Sequence, residues 1–108
     1  MRENRKFKRE KRRIPCEFRW DGRAHSALVT DLSARGLLVQ SAVMPDDGAQ
    51  IELILYDTTR GEVQVWGRVT RTKTPHRSIA NVIPGGFGVA VESASEEFFQ
   101  IIIELGLA

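Results

Sequence analysis

Residues 14–36 read IPCEFRWDGRAHSALVTDLSARG, and the Asp21-Gly22 pair inside them organises the rest. Asp-Gly between two runs of strand formers is a strong hairpin signal, because a type I′ turn needs positive φ at both central residues. It predicts one strand over 14–20, a second over 24–32, and a further turn at Ala34-Arg35-Gly36. Working outward, residues 37–41 (LLVQS) read as a third strand, followed by turn chemistry at Pro45-Asp46-Asp47-Gly48. Residues 50–56 (QIELILY) read as a fourth strand, and Asp57-Thr58-Thr59-Arg60-Gly61 closes another hairpin. In the fifth, 62–72, Val63, Val65, Gly67 and Val69 fall on one side. A polar stretch over 73–86 holds two prolines and two glycines, and 87–92 (FGVAVE) forms a sixth strand.

The period then changes. Phe98, Ile101, Ile102 and Leu105 are spaced i, i+3, i+4, i+7, one face of a helix. Ser93 or Ser95 suits the N-cap, Ser93-x-x-Glu96 has capping-box spacing, Glu96 and Glu97 favour the first turn, and Gly106 suits the C-terminal stop. The run FFQIII is also compatible with a strand, but the caps favour a helix over 94–105. Six short antiparallel strands and one terminal helix predict an all-β domain, a six-stranded antiparallel barrel partly closed by the helix.

The chain has 108 residues, enough for one domain with one core. Its unbroken apolar runs, such as Ile101-Ile102-Ile103 and Leu53-Ile54-Leu55-Tyr56, are far short of the ~20 residues of a membrane span. The basic start lacks a following apolar stretch, so it is not a secretory signal. Cys16 is the only cysteine, which excludes an internal disulfide and fits a reducing, cytoplasmic setting. The net charge of +2 hides an asymmetry: residues 1–13 carry +6 and the remainder −4. This divides the chain into a flexible basic arm over 1–13 and a barrel domain over 14–108. Such an arm attracts anions, or is simply solvated.

Catalytic chemistry is poorly supported, and no enzyme is expected. His25 and His76 lie in no motif, and Cys16 in the first strand reads as a small buried thiol. The acidic pairs Asp46-Asp47 and Glu96-Glu97 are explained by a turn and a helix start. No phosphate-binding loop or metal-ligand spacing is present.

Two short constellations carry more. Arg9-x-x-x-Arg13 precedes the first strand, and Asp31-Leu32-Ser33-Ala34-Arg35-Gly36 ends the second. An arginine fork pairs with guanine O6 and N7 or with a phosphate. Asp31 and Ser33 project from one face of a strand, where the carboxylate can accept from a guanine edge and the hydroxyl can donate. Gly36 fits positive φ or a close approach. Together they describe a receptor for a phosphorylated guanine nucleotide. Each alone has an ordinary reading, as chance spacing in a basic arm or as Asx-turn chemistry.

Arg9-x-x-x-Arg13-Ile14 followed by Asp31-x-Ser33-x-x-Gly36 resembles the PilZ domain, a bacterial receptor family for cyclic di-GMP. The likeness runs from about Lys8 to Leu105 and takes in the WDGR hairpin and the VxVWGRV and GFGVAVE strands. It implies the same fold, a six-stranded antiparallel β-barrel with a C-terminal helix. It also implies that Arg9 and Arg13 bind guanine and phosphate, Asp31 the guanine edge and Ser33 ligand oxygens, while Gly36 shapes the turn. Lys8 and Arg12 are auxiliary contacts, and Trp66 is either a ring on a guanine or a core residue. Arg35 fills an unspecified position of the motif. The expected protein is a stand-alone effector with cyclic di-GMP as ligand and no cofactor or metal. Ligand would order its arm and change the surface shown to a protein partner. The chain is expected as a monomer or weak homodimer, with nucleic acid not expected as a partner. The rival readings are an interaction module without ligand and a basic-armed nucleic-acid-binding barrel. The long 73–86 loop is the departure from the family pattern.

Overall fold

The computed structural model of the chain describes residues 8–73, 76–77, 82–83 and 85–108. Its order is β1 (Arg9–Trp20), β2 (Arg23–Ser33), β3 (Gly36–Gln40), β4 (Gln50–Asp57), β5 (Gly61–Lys73), β6 (His76–Arg77), β7 (Val82–Ile83), β8 (Gly86–Ala94) and α1 (Glu96–Glu104). Six strands close a barrel in the order β1-β2-β3-β8-β5-β4, with every pair antiparallel. The short pair β6-β7 falls within the predicted loop, half of which lies outside the described residues.

Local chemistry accounts for the turns. Asp21 (φ 56°) and Gly22 (φ 75°) both take the left-handed conformation between β1 and β2, as a type I′ hairpin demands. Alternation accounts for the core. Val63, Val65 and Val69 of β5 point inward with Phe18, Leu32, Leu53 and Val89, all buried. Cys16 is buried among them, and desolvation pushes its thiol up to about 12. Trp20 and His25 sit on the edge of the same cluster, with His25 ring to ring against Phe18 at 5.1 Å.

The helix lies against β5 and β8 and adds Phe98, Ile101 and Ile102 to the core. Its end is a Schellman stop: Leu107 N–H donates to the Ile102 carbonyl at 2.9 Å and Gly106 N–H to Ile103 at 3.0 Å. Gly106 has φ 70°, and Leu107 is buried. The start differs from expectation. Ser95 is the N-cap but makes no capping bond, because its hydroxyl accepts the Gln64 N–H of β5 at 3.3 Å; no Ser93 capping box forms. The helix occupies 96–104 within the predicted 94–105.

The first strand also starts earlier than the predicted residue 14. Residues 9–13, expected in a flexible arm, are the first part of β1 and pair with β2 from Arg9↔Ser33 to Lys11↔Asp31. Backbone pairing to β2 outweighs the lack of apolar side chains there. Residues 1–7 of the expected arm lie outside the described residues.

Candidate ligand-binding groove

Three β-bulges build the site. Between Lys11 and Ile14 the β1-β2 register shifts, so Arg12 and Arg13 together face the single residue Thr30. Thr30 is also the extra residue in the β2-β3 ladder, between Val29↔Val39 and Asp31↔Leu38. That shift buries both Val29 and Leu32, three residues apart, and turns Asp31 outward. In β5, Val69 pairs with Val89 and Arg71 with Gly88, leaving Thr70 extra. A regular strand with Val69 inside would send Arg71 inward as well; the bulge puts Arg71 outside.

The two motifs meet across β1 and β2. Arg9 Nε donates to Asp31 Oδ1 at 3.2 Å, and Arg9 Nη1 to Ser33 Oγ at 3.4 Å. Ser33 is only 1% exposed. Its hydroxyl accepts the backbone N–H groups of Arg35 (3.3 Å) and Gly36 (3.2 Å) and reaches the Gly36 carbonyl at 3.3 Å. Ser33 therefore knits the turn that presents Arg35 and Gly36, and it also anchors Arg9. Gly36 does not have positive φ. A Cβ there would lie 3.0 Å from the Val89 carbonyl of β8, so close approach is the reason for glycine.

These residues line an open recess of about 460 Å³ on the outer face of β3, β8 and β5. Arg9, Ser33, Arg35 and Gly36 form one side, and Leu38, Thr70, Arg71 and Gly88 the other. Such a volume is in the range of small-molecule sites. Among the described residues no acidic side chain lines it. Asp31 is paired with Arg9 at its rim, and the described lining holds Arg9, Arg35 and Arg71, a setting that attracts an anion.

The other predicted residues fall in different places. Arg13 is exposed at the bulge and makes no side-chain hydrogen bond or ion pair among the described residues. Arg12 is paired with Glu10 at 2.7 Å, and Lys8 is exposed just before β1. Trp66 is not brought to the groove. It is 38% exposed and lines a separate recess with Glu52 and Glu92. Reading the sequence missed Arg71 and Thr70, because strict alternation through β5 hides the bulge that turns Arg71 outward.

The family profile described as PilZ domain matches residues 3–105. No curated protein matches the chain. Two solved structures superpose with a TM-score of 0.75. One is the Bacillus subtilis inhibitor of motility MotI/DgrA, 13% identical, over 95% of this chain and 49% of that one. The other is the PilZ domain of Escherichia coli YcgR with c-di-GMP, 12% identical, over 95% of this chain and 88% of that one. This chain thus spans about half the length of the MotI chain. At these identities the two structures speak for the fold, a closed six-stranded barrel with one terminal helix. Among the described residues no helix is long and apolar enough to cross a membrane. With the profile covering nearly the whole sequence, this chain belongs to the PilZ domain family.

Proposed function

We propose that this protein is a cyclic di-GMP receptor that acts as an effector and catalyses no reaction. The observation that carries the reading is the meeting of the motifs: Arg9 bridges Asp31 and Ser33 at the rim of a recess that no acidic side chain lines among the described residues. Asp31 gives one carboxylate oxygen to Arg9 Nε, and the other is left to accept from a guanine edge. Arg13, without a partner among the described residues, supplies a fork for phosphate or for guanine O6 and N7. The similarity to the c-di-GMP-bound PilZ domain of YcgR supports this ligand.

Signal transmission follows from charge. The ligand phosphates neutralise the arginines of β1 and draw the basic residues before Arg9 across the groove. The altered face is then read by a protein partner. Amide exchange of residues 1–8 with and without cyclic di-GMP checks this step: increased protection is expected, and unchanged protection excludes it.

The receptor reading is tested by isothermal titration with cyclic di-GMP at two salt concentrations, with GMP and cyclic di-AMP as controls. Saturable binding of cyclic di-GMP alone is the expected result. No binding by a folded sample overturns the reading in favour of a ligand-free interaction module. Equal, salt-sensitive binding to all three assigns the affinity to the basic residues alone.

A further inference from the structure

We propose that Arg71 of β5 is a ligand contact, placed at the junction of two recesses that act as one anion-accepting groove. The inference rests on the receptor reading above and adds to it a residue outside both motifs. A second recess of about 450 Å³ adjoins the first and shares Leu38, Arg71 and Gly88 with it. It extends past Thr30 and Gln40 to Gly86. Among the described residues no acidic side chain lines either half.

Three observations converge on Arg71. The first is the bulge at Thr70, which reverses the facing that alternation would give and delivers the guanidinium to the surface. The second is the residue across from it. Arg71 pairs with Gly88, and Gly88 in turn pairs with Leu38. A Cβ on Gly88 would stand 2.8 Å from Thr70 Oγ1 and 3.7 Å from Leu38 Cδ2, in the floor of the groove. Glycine keeps that floor flat where the arginine and a planar base need room. The third is charge. Arg9 is neutralised by Asp31, and Arg68, on the same strand as Arg71, by Glu92 at 3.2 Å. Arg71 makes no side-chain hydrogen bond or ion pair among the described residues. An exposed cation facing a recess whose described lining holds no acidic side chain, between two halves each of small-molecule size, suits a ligand with two bases joined through phosphates. The guanidinium lies where the linking phosphates pass from one half to the other.

The test titrates cyclic di-GMP into the unaltered chain and into Arg71→Met, Arg71→Lys and Gln40→Glu, with thermal melting to establish that each is folded. Arg71→Met keeps the stem and removes the charge, and its affinity should fall roughly ten- to a hundredfold, the worth of a hydrogen bond to a charged group. Arg71→Lys should recover part of that loss. Gln40→Glu, of nearly the same shape, puts a negative charge in the second recess but not the first and should weaken binding several-fold. Unchanged affinity in Arg71→Met overturns the assignment of Arg71. Unchanged affinity in Gln40→Glu confines the ligand to the first recess and overturns the shared groove. No binding by the unaltered chain overturns the receptor reading, and the role of Arg71 with it.

Discussion

Arg60 and Arg71 stand on opposite sides of the same question. At the helix, Arg60 is surrounded by acceptors: Asp57 at 3.6 Å, Gln100 at 3.5 Å, and the Glu104 carboxylate. Around it the helix buries Phe98, Ile101 and Ile102. Arg13 at the β1 bulge and Arg71 in the groove have no such partner among the described residues, and Gly88 lies in the groove floor. One region satisfies its charges internally and holds the fold. The other presents cations that have no such partner among the described residues, a setting that attracts an external anion. The lesson is that an arginine is read by what faces it and not by its exposure alone.

Substitutions can break or sharpen that contrast. The largest effect belongs to the helix side. Phe98→Ala removes a fully buried ring and should destabilise the fold by about 3–5 kcal/mol, measured by chemical denaturation. Next comes the groove side. Arg9→Ala and Arg13→Ala should each weaken cyclic di-GMP binding by roughly 2–4 kcal/mol in titration calorimetry. Arg13→Ala should leave the melting temperature nearly unchanged, because its side chain holds nothing in the described fold. If Arg13→Ala bound as tightly as the parent, the assignment of Arg13 to the ligand would be wrong.

Cys16 gives a smaller effect from the interior. Its pKa is raised from 9.0 to about 12, first by burial and then by the Glu17 charge. The folded thiol therefore keeps its proton where the unfolded one loses it. Its contribution to stability is complete below pH 9 and declines as pH climbs from 9 through 12, by on the order of 1 kcal/mol at pH 10. Cys16→Ser or Cys16→Ala should flatten that part of the stability–pH curve, and thiol reagents should reach Cys16 only on unfolding. The smallest effect is Arg60→Ala, at most about 1 kcal/mol of stability for exposed pairs, with no change in ligand affinity. A change in affinity there would show that the two regions are coupled.

Regular repetition made much of this molecule legible in its sequence. Asp21-Gly22 specifies its turn through positive φ, Val63, Val65 and Val69 specify the inner face of β5, and Gly106 marks the helix stop. The pairing of Arg9 with Asp31 and Ser33 was legible as two motifs, since each motif is local and hairpin register brings them together. What stayed hidden are departures from period two. A bulge inserts one residue and leaves no composition signal, so neither the outward turn of Arg71 nor the placing of Arg12 and Arg13 opposite Thr30 could be read. The start of β1 was hidden by a charge run that resembles a solvated arm until β2 supplies its hydrogen-bond partners. Ser95 looked like a helix cap because the competing donor, Gln64, is distant in sequence.

The β1-β4 ladder covers only Cys16 to Arg19, so among the described strands Arg9 to Pro15 are bonded on the β2 side alone. A strand with one open side is a template for a strand from another molecule, the route to fibrillar aggregation. Here that side carries Lys11, Arg12, Arg13 and Pro15, with a bulge among them. Like charges repel an identical edge, and proline withholds a donor. The basic motif thus guards solubility, apart from the recognition proposed for it. Replacing all of its charges with apolar β-formers should promote aggregation, seen by light scattering.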